Sequence, residues 1–406
     1  MTLEPLPNAS YDLIIVGSGI VGTILAVALQ KTGAKIAIIE ERPLEVVIDR
    51  RQAYALSLMS GRILKGLGVW DKIFPNIGKF RHIRLSDADY RVFVPFAVND
   101  LKTDYLGYVG EHRVILSALI EATRERSNIH WICPARVKKV EYGENNATVT
   151  IERDGQTYPL TARLVVGADG ARSFIRQEAK ITTKGWKYWQ SCVAFTIAHQ
   201  QEYNETAFER FWPTGPMGIL PLPGNRCQIV WTNPHAEAKK LQEMEESQFI
   251  ARLEEYTGGL LGKLQLASER SLFPVQLMQS DTYIKPRLAL VGDAAHCCHP
   301  VGGQGLNLGI RDAASLSQVL TEAIEKGEDI GSIEVLKRYE KWRKKENLVI
   351  LGFTDFLDRF FSTNWLPIVW TRRFGLFVMR HVPPVKLFAL QLMTGLRGRI
   401  PELAKP

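Results

Sequence analysis

The sequence predicts an α/β protein in which a Rossmann-like nucleotide-binding domain is interrupted by an inserted β-sheet domain and followed by a helical C-terminal tail. Three observations carry that reading. The chain opens on a strand, a glycine-rich turn, a helix and a second strand; residues 183–271 turn strand-like; and an apolar strand, a second glycine-rich loop and a long helix follow. With 406 residues, 46% of them hydrophobic, the chain has material for two packed domains.

The opening element is a βαβ unit. Residues 11–16 form a short apolar run suited to a buried strand, residues 20–31 carry a helical pattern that Gly33 stops, and residues 35–40 read as a second strand. The apolar stretch 13–29 has signal-peptide length. However, Glu4 and Asp12 precede it, a basic leading region is missing, and Gly17, Gly19 and Gly22 explain it better. The central stretch alternates strand-like pieces, such as 191–198 and 227–232, with proline and glycine turns. Residues 287–291 then form an apolar strand, 306–326 a helix and 332–361 a long helical pattern, ahead of an aromatic-rich basic tail.

Composition narrows the function. The chain carries 51 basic and 43 acidic residues, a net charge of +8. That modest surplus suits an anionic membrane surface or a phosphorylated cofactor; without a concentrated basic stripe it argues against nucleic acid. The cysteines, Cys133, Cys192, Cys227, Cys297 and Cys298, are odd in number and lack metal-site spacing, so neither a metal nor a disulfide framework is expected. The adjacent Cys297 and Cys298 would bridge only with strain. Outside the glycine-interrupted stretch 13–29, no uncharged apolar run approaches the roughly 18 residues needed to span a bilayer. The expected location is cytoplasmic, either soluble or peripheral on the cytoplasmic side of a membrane.

Three motifs carry chemistry. Gly17, Ser18, Gly19, Ile20, Val21 and Gly22 lie between a strand and a helix. There Gly17 permits a tight turn, Gly19 lets the backbone approach a pyrophosphate, and Gly22 lets helix and strand pack closely. The helix opened by Ile20 and Val21 points its free N–H groups at the phosphates. Glu40 stands where a carboxylate accepts hydrogen bonds from an adenosine ribose, but this motif alone does not separate FAD from NAD. Farther on, Asp169 and Gly170 end an apolar run in a sharp turn, and Gly292 and Asp293 end another. Asp169 reads either as a cofactor contact or as a plain turn former. Last comes the loop Pro300, Gly302, Gly303, Gln304, Gly305, Leu306, Asn307. Its glycines let backbone N–H groups at a helix N-terminus approach and stabilise a negative charge, which makes Gly302, Gly303 and Gly305 catalytic candidates. His296 is a structural hydrogen-bonder as readily as anything else.

With these motifs in this order the chain resembles the group A FAD-dependent aromatic monooxygenases, and within them the ubiquinone-biosynthesis hydroxylase family. The resemblance runs over nearly the whole chain and includes Gly68, Val69 and Trp70 and the run Glu111, His112, Arg113, Val114. It implies an FAD-binding domain of the aromatic hydroxylase type in segments 1–75, 106–182 and 276–345, a substrate domain in 76–105 and 183–275, and a C-terminal helical, membrane-associating region 346–406. It implies that Asp293 holds the flavin ribityl chain, that Asp169 and Gly170 serve flavin and nicotinamide, and that Pro300 lies beside the oxygen-reacting face. Gly292, Gln304, Leu306 and Asn307 fall on the same cofactor-binding blocks. One departure stands out: an arginine frequent in the family, four positions before the leucine matched by Leu56, is here Gln52, with Arg51 one residue earlier. Arg51 and Arg113 are both candidates for cofactor phosphate, Arg113 the better one.

The function implied is hydroxylation of an aromatic ring, a prenylated phenol or quinol of quinone biosynthesis, with NAD(P)H as transient co-substrate and O2, through a flavin hydroperoxide. The tail interleaves Phe356, Phe360, Phe361, Trp365, Trp370, Phe374 and Phe377 with Arg359, Arg372, Arg373, Arg380 and Lys386. It resembles that of the quinone hydroxylases. Rings beside cations suit a membrane interface, and a helical cap with solvated arginines is the equal alternative. Two rivals stay open: a prenyl reductase or cyclase of the same architecture, and a catalytically idle flavin-binding protein within a quinone-synthesising assembly.

Overall fold

The first apolar run folds as the strand Ser10–Val16, whose Leu13, Ile14 and Ile15 are buried on both faces. That is why it reads as a continuous apolar stretch rather than an alternation. In this computed structural model, residues 9–405 are described apart from 88–89, 91, 125 and 202–204. Positions of the expected segments that fall on the others, among them 1–8, lie outside the described residues.

Ser10–Val16 pairs in parallel with Ile36–Ile39 and with Gln156–Gly167. The sheet runs Ile284–Lys285, Leu288–Leu290, Gln156–Gly167, Ser10–Val16, Ile36–Ile39, Ile129–Ile132, and the strands Arg136–Tyr142 and Ala147–Arg153 extend it antiparallel. Register brings Val16, Ile39, Gly167 and Leu290 into one row. The turns that follow them, starting at Gly17, Glu40, Ala168 and Val291, therefore open on the same carboxyl edge of the sheet, where α/β proteins bind their ligands.

The helices Ile20–Leu29 and Gln304–Glu325 pack against this sheet. Ile20–Leu29 is apolar almost all round because neighbours cover nearly all of it. The later helix begins at Gln304, two residues before the expected start, since Gly302 and Gly303 at positive φ turn the chain directly into it. The expected helix 20–31 ends at Leu29, where the Thr32 hydroxyl donates to the Leu29 carbonyl.

A second sheet of nine strands is built around the long strand Thr183–His199. His82–Asp87 and Phe93–Ala97 join its far edge, so chain from before and after the glycine-rich segments meets in one sheet. One face packs on the helices His235–Glu243 and Glu246–Thr257 through Phe195, Trp231 and Phe249. The opposite face meets the C-terminal helices Ile333–Phe361, Leu366–His381 and Pro383–Met393, with Phe211 stacked on Phe361 at 4.0 Å between ring centroids. A small sheet of Ala53–Leu56, Gly107–Glu111 and Gly78–Phe80 bridges the two larger ones. No helix among the described residues is long and apolar enough to cross a membrane.

Candidate active site

The first glycine turn is fixed by sterics. Gly17 sits at φ +105°, and a Cβ there would lie 2.4 Å from the Ala168 carbonyl oxygen; a Cβ on Gly22 would lie 2.1 Å from the Gly17 oxygen. Gly19 is different: a Cβ would meet nothing within 4 Å, because it faces a cleft of about 800 Å³. The helix Ile20–Leu29 starts at Gly19 with no side chain capping it, and neither Ile20 nor Val21 has a group to do so. Its first N–H groups are thus left for an anion.

Glu40 stands 8% exposed in the wall of this cleft. Its Oε2 accepts from the Ser18 amide at 3.2 Å and hydroxyl at 3.0 Å, while Oε1 accepts from the Arg42 amide at 3.1 Å. Oε1 also accepts from the half-exposed Arg42 Nε at 3.3 Å; the carboxylate therefore braces the glycine turn, and a ribose hydroxyl would bind it by taking the place of that guanidinium. Asp169 and Gly170 line the opposite side. The Asp169 carboxylate accepts from the Ser173 hydroxyl at 2.6 Å and the Ile175 amide at 3.1 Å, which is the geometry of a turn former that caps the helix Phe174–Glu178. Burial pushes its carboxyl up, against those hydrogen bonds.

Asp293 has the opposite character. It follows Gly292 at φ +59° on the carboxyl edge of the sheet, ringed by protein atoms yet with its side chain reaching solvent. None of the described residues hydrogen-bonds its carboxylate, and burial, reinforced by Asp312, pushes its carboxyl above the usual range while His296 opposes. An acceptor left open in this way fits a polyol. Tyr54 lies within reach of its field: burial, then the Asp293 charge, push that phenol up to about 12, against Arg50.

Arg51 and Arg113 are both exposed and line a separate polar pocket of about 260 Å³, together with Arg50, Gln52 and Arg226. Arg50 alone of these also lines the large cleft, so it joins the two spaces.

The loop after Pro300 borders an apolar cavity of about 170 Å³. Pro300, Gly302, Gly303, Gln304 and Asn307 all line it. A Cβ on Gly303 would press on Ala55 Cβ at 2.8 Å, whereas beside Gly305 the nearest atom is Cys298 Sγ at 3.9 Å. The helix Gln304–Glu325 has no side-chain cap, so its first N–H groups are available to stabilise negative charge. Leu306 packs against the main core instead. The side chains of Gln304 and Asn307 hold the loop in place. Asn307 accepts from Ser57 N at 2.8 Å and Ser60 Oγ at 2.7 Å and donates to the carbonyls of Ala55 and Gly303. Gln304 donates to the carbonyls of Gly302 and Met393.

Beneath the loop lies a buried charged cluster. Asp312 accepts from His296 Nε2 at 2.6 Å, Arg343 Nε at 2.8 Å, Asn347 Nδ2 at 3.0 Å and the Gly292 amide at 3.1 Å. Burial works to raise its carboxyl, but His296 and Arg343 hold it well below the usual carboxylate range. His296 is thus a structural hydrogen-bonder that fixes Gly292 from below. Sequence reasoning missed Arg50, Asp312 and Arg343, and also Glu209, the one ionisable side chain among the described residues lining the apolar cavity. A glutamate between apolar positions 207, 208 and 211 is the one signal that pointed to Glu209.

Two open helix N-termini, an unpaired acid at the sheet edge and an apolar cavity beside the second N-terminus match what a flavin dinucleotide asks of a protein. The sequence pattern described as FAD binding domain matches residues 10–348. An uncharacterized protein of Synechocystis sp. is 59% identical over 399 residues, covering 98% of this chain and 96% of that one. Ubiquinone hydroxylase UbiL of Rhodospirillum rubrum is 35% identical over 395 residues, covering 96% of this chain and 91% of its own. Among solved structures, p-nitrophenol 4-monooxygenase PnpA of Pseudomonas putida DLL-E4 shares the fold with a TM-score of 0.80 at 19% identity, over 97% of this chain and 99% of that one.

Proposed function

The chain belongs to the FAD binding domain family and is an FAD-dependent aromatic-ring monooxygenase; from that premise we propose that it hydroxylates a prenylated phenol or quinol of quinone biosynthesis, drawn from a membrane. The observation that carries this reading is the apolar cavity against Pro300, Val301, Gly302 and Gly303. An aromatic head group fits such a lining, and the cavity is roofed by Met379 of Leu366–His381 and by Leu390 and Met393 of Pro383–Met393. Those same helices expose Leu366, Trp370, Phe374, Phe377 and Phe388 on their outer sides, from 50% to 74%. A lipophilic chain leaving the cavity toward these helices meets apolar surface.

In this reading Gly17, Gly19, Ile20, Val21 and Gly22 hold the diphosphate and Glu40 the ribose. Arg50, Arg51 and Arg113 supply positive charge, with Asp169 and Gly170 on the far wall, and Asp293 accepts from the ribityl hydroxyls. When bound, FAD supplies hydride acceptance from NAD(P)H and activation of O2. The protein places the ring beside Pro300, excludes water with an apolar lining, and presents the N–H groups after Gly303 to negative charge. Gly292, Gln304, Leu306 and Asn307 keep those groups in place.

The test is turnover of purified holoprotein with a short-chain prenylphenol, NAD(P)H and labelled O2. Mass spectrometry should find one labelled oxygen on the ring and oxygen uptake matched to NAD(P)H oxidation. Reduction of a prenyl double bond without oxygen uptake would instead identify a reductase and overturn the proposal.

A further inference from the structure

The cavity wall contributed by the second sheet is apolar except at one place. In the strand Thr206–Trp212, the side chains of Ala207, Glu209 and Phe211 share a face, and Ala207 and Phe211 belong to the apolar core. Glu209 lies across from Leu85 on one neighbouring strand and Gly218 on the other. With no side chain at Gly218, room is left beside the carboxylate: a Cβ there would sit 3.7 Å from Glu209 Oε2.

The other polar side chains in the lining are committed to protein partners. The Thr232 hydroxyl is 3.1 Å from Cys192 Sγ, the Thr394 hydroxyl donates to the Leu390 carbonyl at 2.7 Å, and Asn307 is held as described above. Glu209 shares the lining with Gly302, in the loop that carries the catalytic candidates, and the Gly302 backbone N–H works to hold its carboxyl down.

We propose that Glu209 is a catalytic residue that accepts the proton of the substrate's ring hydroxyl, and so makes the ring nucleophilic beside the Pro300–Gly303 turn. This rests on the function proposed above. The hydroxyl proton passes to a Glu209 oxygen, and the O–H electron pair moves into the ring. The ring carbon ortho or para to it forms a C–O bond to one atom of the activated O2, whose O–O bond breaks, and the other oxygen leaves as water. The resulting dienone loses its C–H proton to restore aromaticity, and Glu209 returns its proton to the ketone oxygen. NAD(P)H supplies the two electrons, so one ring, one O2, one NAD(P)H and one proton give the hydroxylated ring, NAD(P)+ and water.

The surroundings suit that task. Burial pushes the Glu209 carboxyl up to about 7, opposed by the Gly302 N–H, so near neutrality it can take up or release a proton. The groups facing it are uncharged: Leu85 and Gly218 from the flanking strands, Phe353 and Leu357 from Ile333–Phe361, and Leu390 from Pro383–Met393. Cys192, on Thr183–His199, has its thiol pushed up to about 12, chiefly by burial. Arg210 stacks over the Trp212 ring, 5.7 Å from its centroid.

The experiment compares holoenzyme with Glu209→Gln and Glu209→Asp. In the Gln variant, flavin content and anaerobic flavin reduction by NAD(P)H should match wild type. Hydroxylated product per NAD(P)H should fall at least tenfold, and the rise of wild-type activity through about pH 7 should vanish. Glu209→Asp should restore part of the product and a pH-dependent limb. A second readout is the absorbance at pH 7 of a bound 2-alkyl-4-acetylphenol, which is mostly un-ionised in water at that pH and should shift toward the phenolate band in wild type and stay phenolic in Glu209→Gln. Wild-type product yield and pH profile in the Gln variant, or identical probe spectra in both proteins, would overturn the proposal. If wild type hydroxylates no phenol at all, the proposed function falls, and the probe spectra still decide whether Glu209 takes a bound phenol's proton.

Discussion

Asp293 and Asp169 show how two acids that look alike in sequence part company in space. Each ends an apolar strand before a turn. Asp169 spends its oxygens on Ser173 and Ile175, whereas no described residue hydrogen-bonds the carboxylate of Asp293. Hydrogen bonds to a charged group contribute about 1.5–3 kcal/mol, so Asp293→Ala should weaken FAD binding roughly 10- to 100-fold. Fluorescence titration of the apoprotein measures it, and unchanged affinity would remove Asp293 from the flavin site. Glu209 gives a prediction of a different kind, about stability. Its carboxyl is pushed up to about 7 from an ordinary 4.5, so folding disfavours the ionised form. Below pH 4.5 the group is protonated folded or unfolded and imposes no penalty. As pH rises toward 7 the unfolded chain loses the proton first, and stability declines by about 1.4 kcal/mol per pH unit before levelling off. Glu209→Gln should therefore melt higher than wild type at pH 8 and level with it at pH 4; melting curves that stay parallel across that range would show that the carboxyl is not desolvated.

At the scale of elements, what the sequence revealed was local. The periodicity of residues 332–361 predicts the helix Ile333–Phe361 almost to the residue, and the glycines after Pro300 predict the turn into Gln304–Glu325. Attachments between distant elements carry no such signal. Asp312 and Arg343 are 31 residues apart on different helices, and Asp87 and Arg372 are 285 apart. The Asp87–Arg372 pair is buried and bidentate, at 2.9 and 3.0 Å, and it fastens Leu366–His381 to His82–Asp87, the last strand but one of the second sheet. In sequence Arg372 reads as a cation on a solvated or lipid-facing helix; the fold turns it inward, because Asp87 and the Phe361 and Thr363 carbonyls satisfy it there. Arg372→Met leaves a buried carboxylate without its main partner, which should cost about 3–5 kcal/mol. Denaturant titration should show that loss, and hydrogen exchange should rise first across residues 366–381. Replacing both partners, Asp87→Leu with Arg372→Met, should recover most of it.

At the scale of the molecule, the legible part of the site is the part made by backbone. Gly17, Gly292 and Gly303 announce turns at positive φ that favour glycine, and parallel register brings the first two to one edge of the sheet. The cavity was not legible, because its walls come from strands and helices spread between Ala55 and Thr394. The tail shows the same division, and it changes how membrane contact is to be tested. Of its cations, Arg372 is tied to Asp87, Lys386 pairs with Asp100 at 2.7 Å, and Arg359 pairs with Asp355 at 2.9 Å. The outward stripe at Leu366, Trp370, Phe374 and Phe377 is left apolar and aromatic. Truncating the chain after Asn364 would also remove Met379, Leu390 and Met393 from the cavity, so substitution on the stripe is the cleaner probe. Binding through rings rather than through cations depends little on screening, whereas attraction between exposed charges fades once the Debye length falls to about 3 Å at 1 M salt. Sedimentation with phospholipid vesicles should therefore show binding that survives high salt and tolerates neutral lipid. Trp370→Ser with Phe374→Ser should lower it at least tenfold, since each buried large side chain contributes about 1.5–3 kcal/mol, and should leave flavin content intact. No binding at all, binding abolished by salt, or binding untouched by the double substitution would overturn the proposed membrane contact through this stripe.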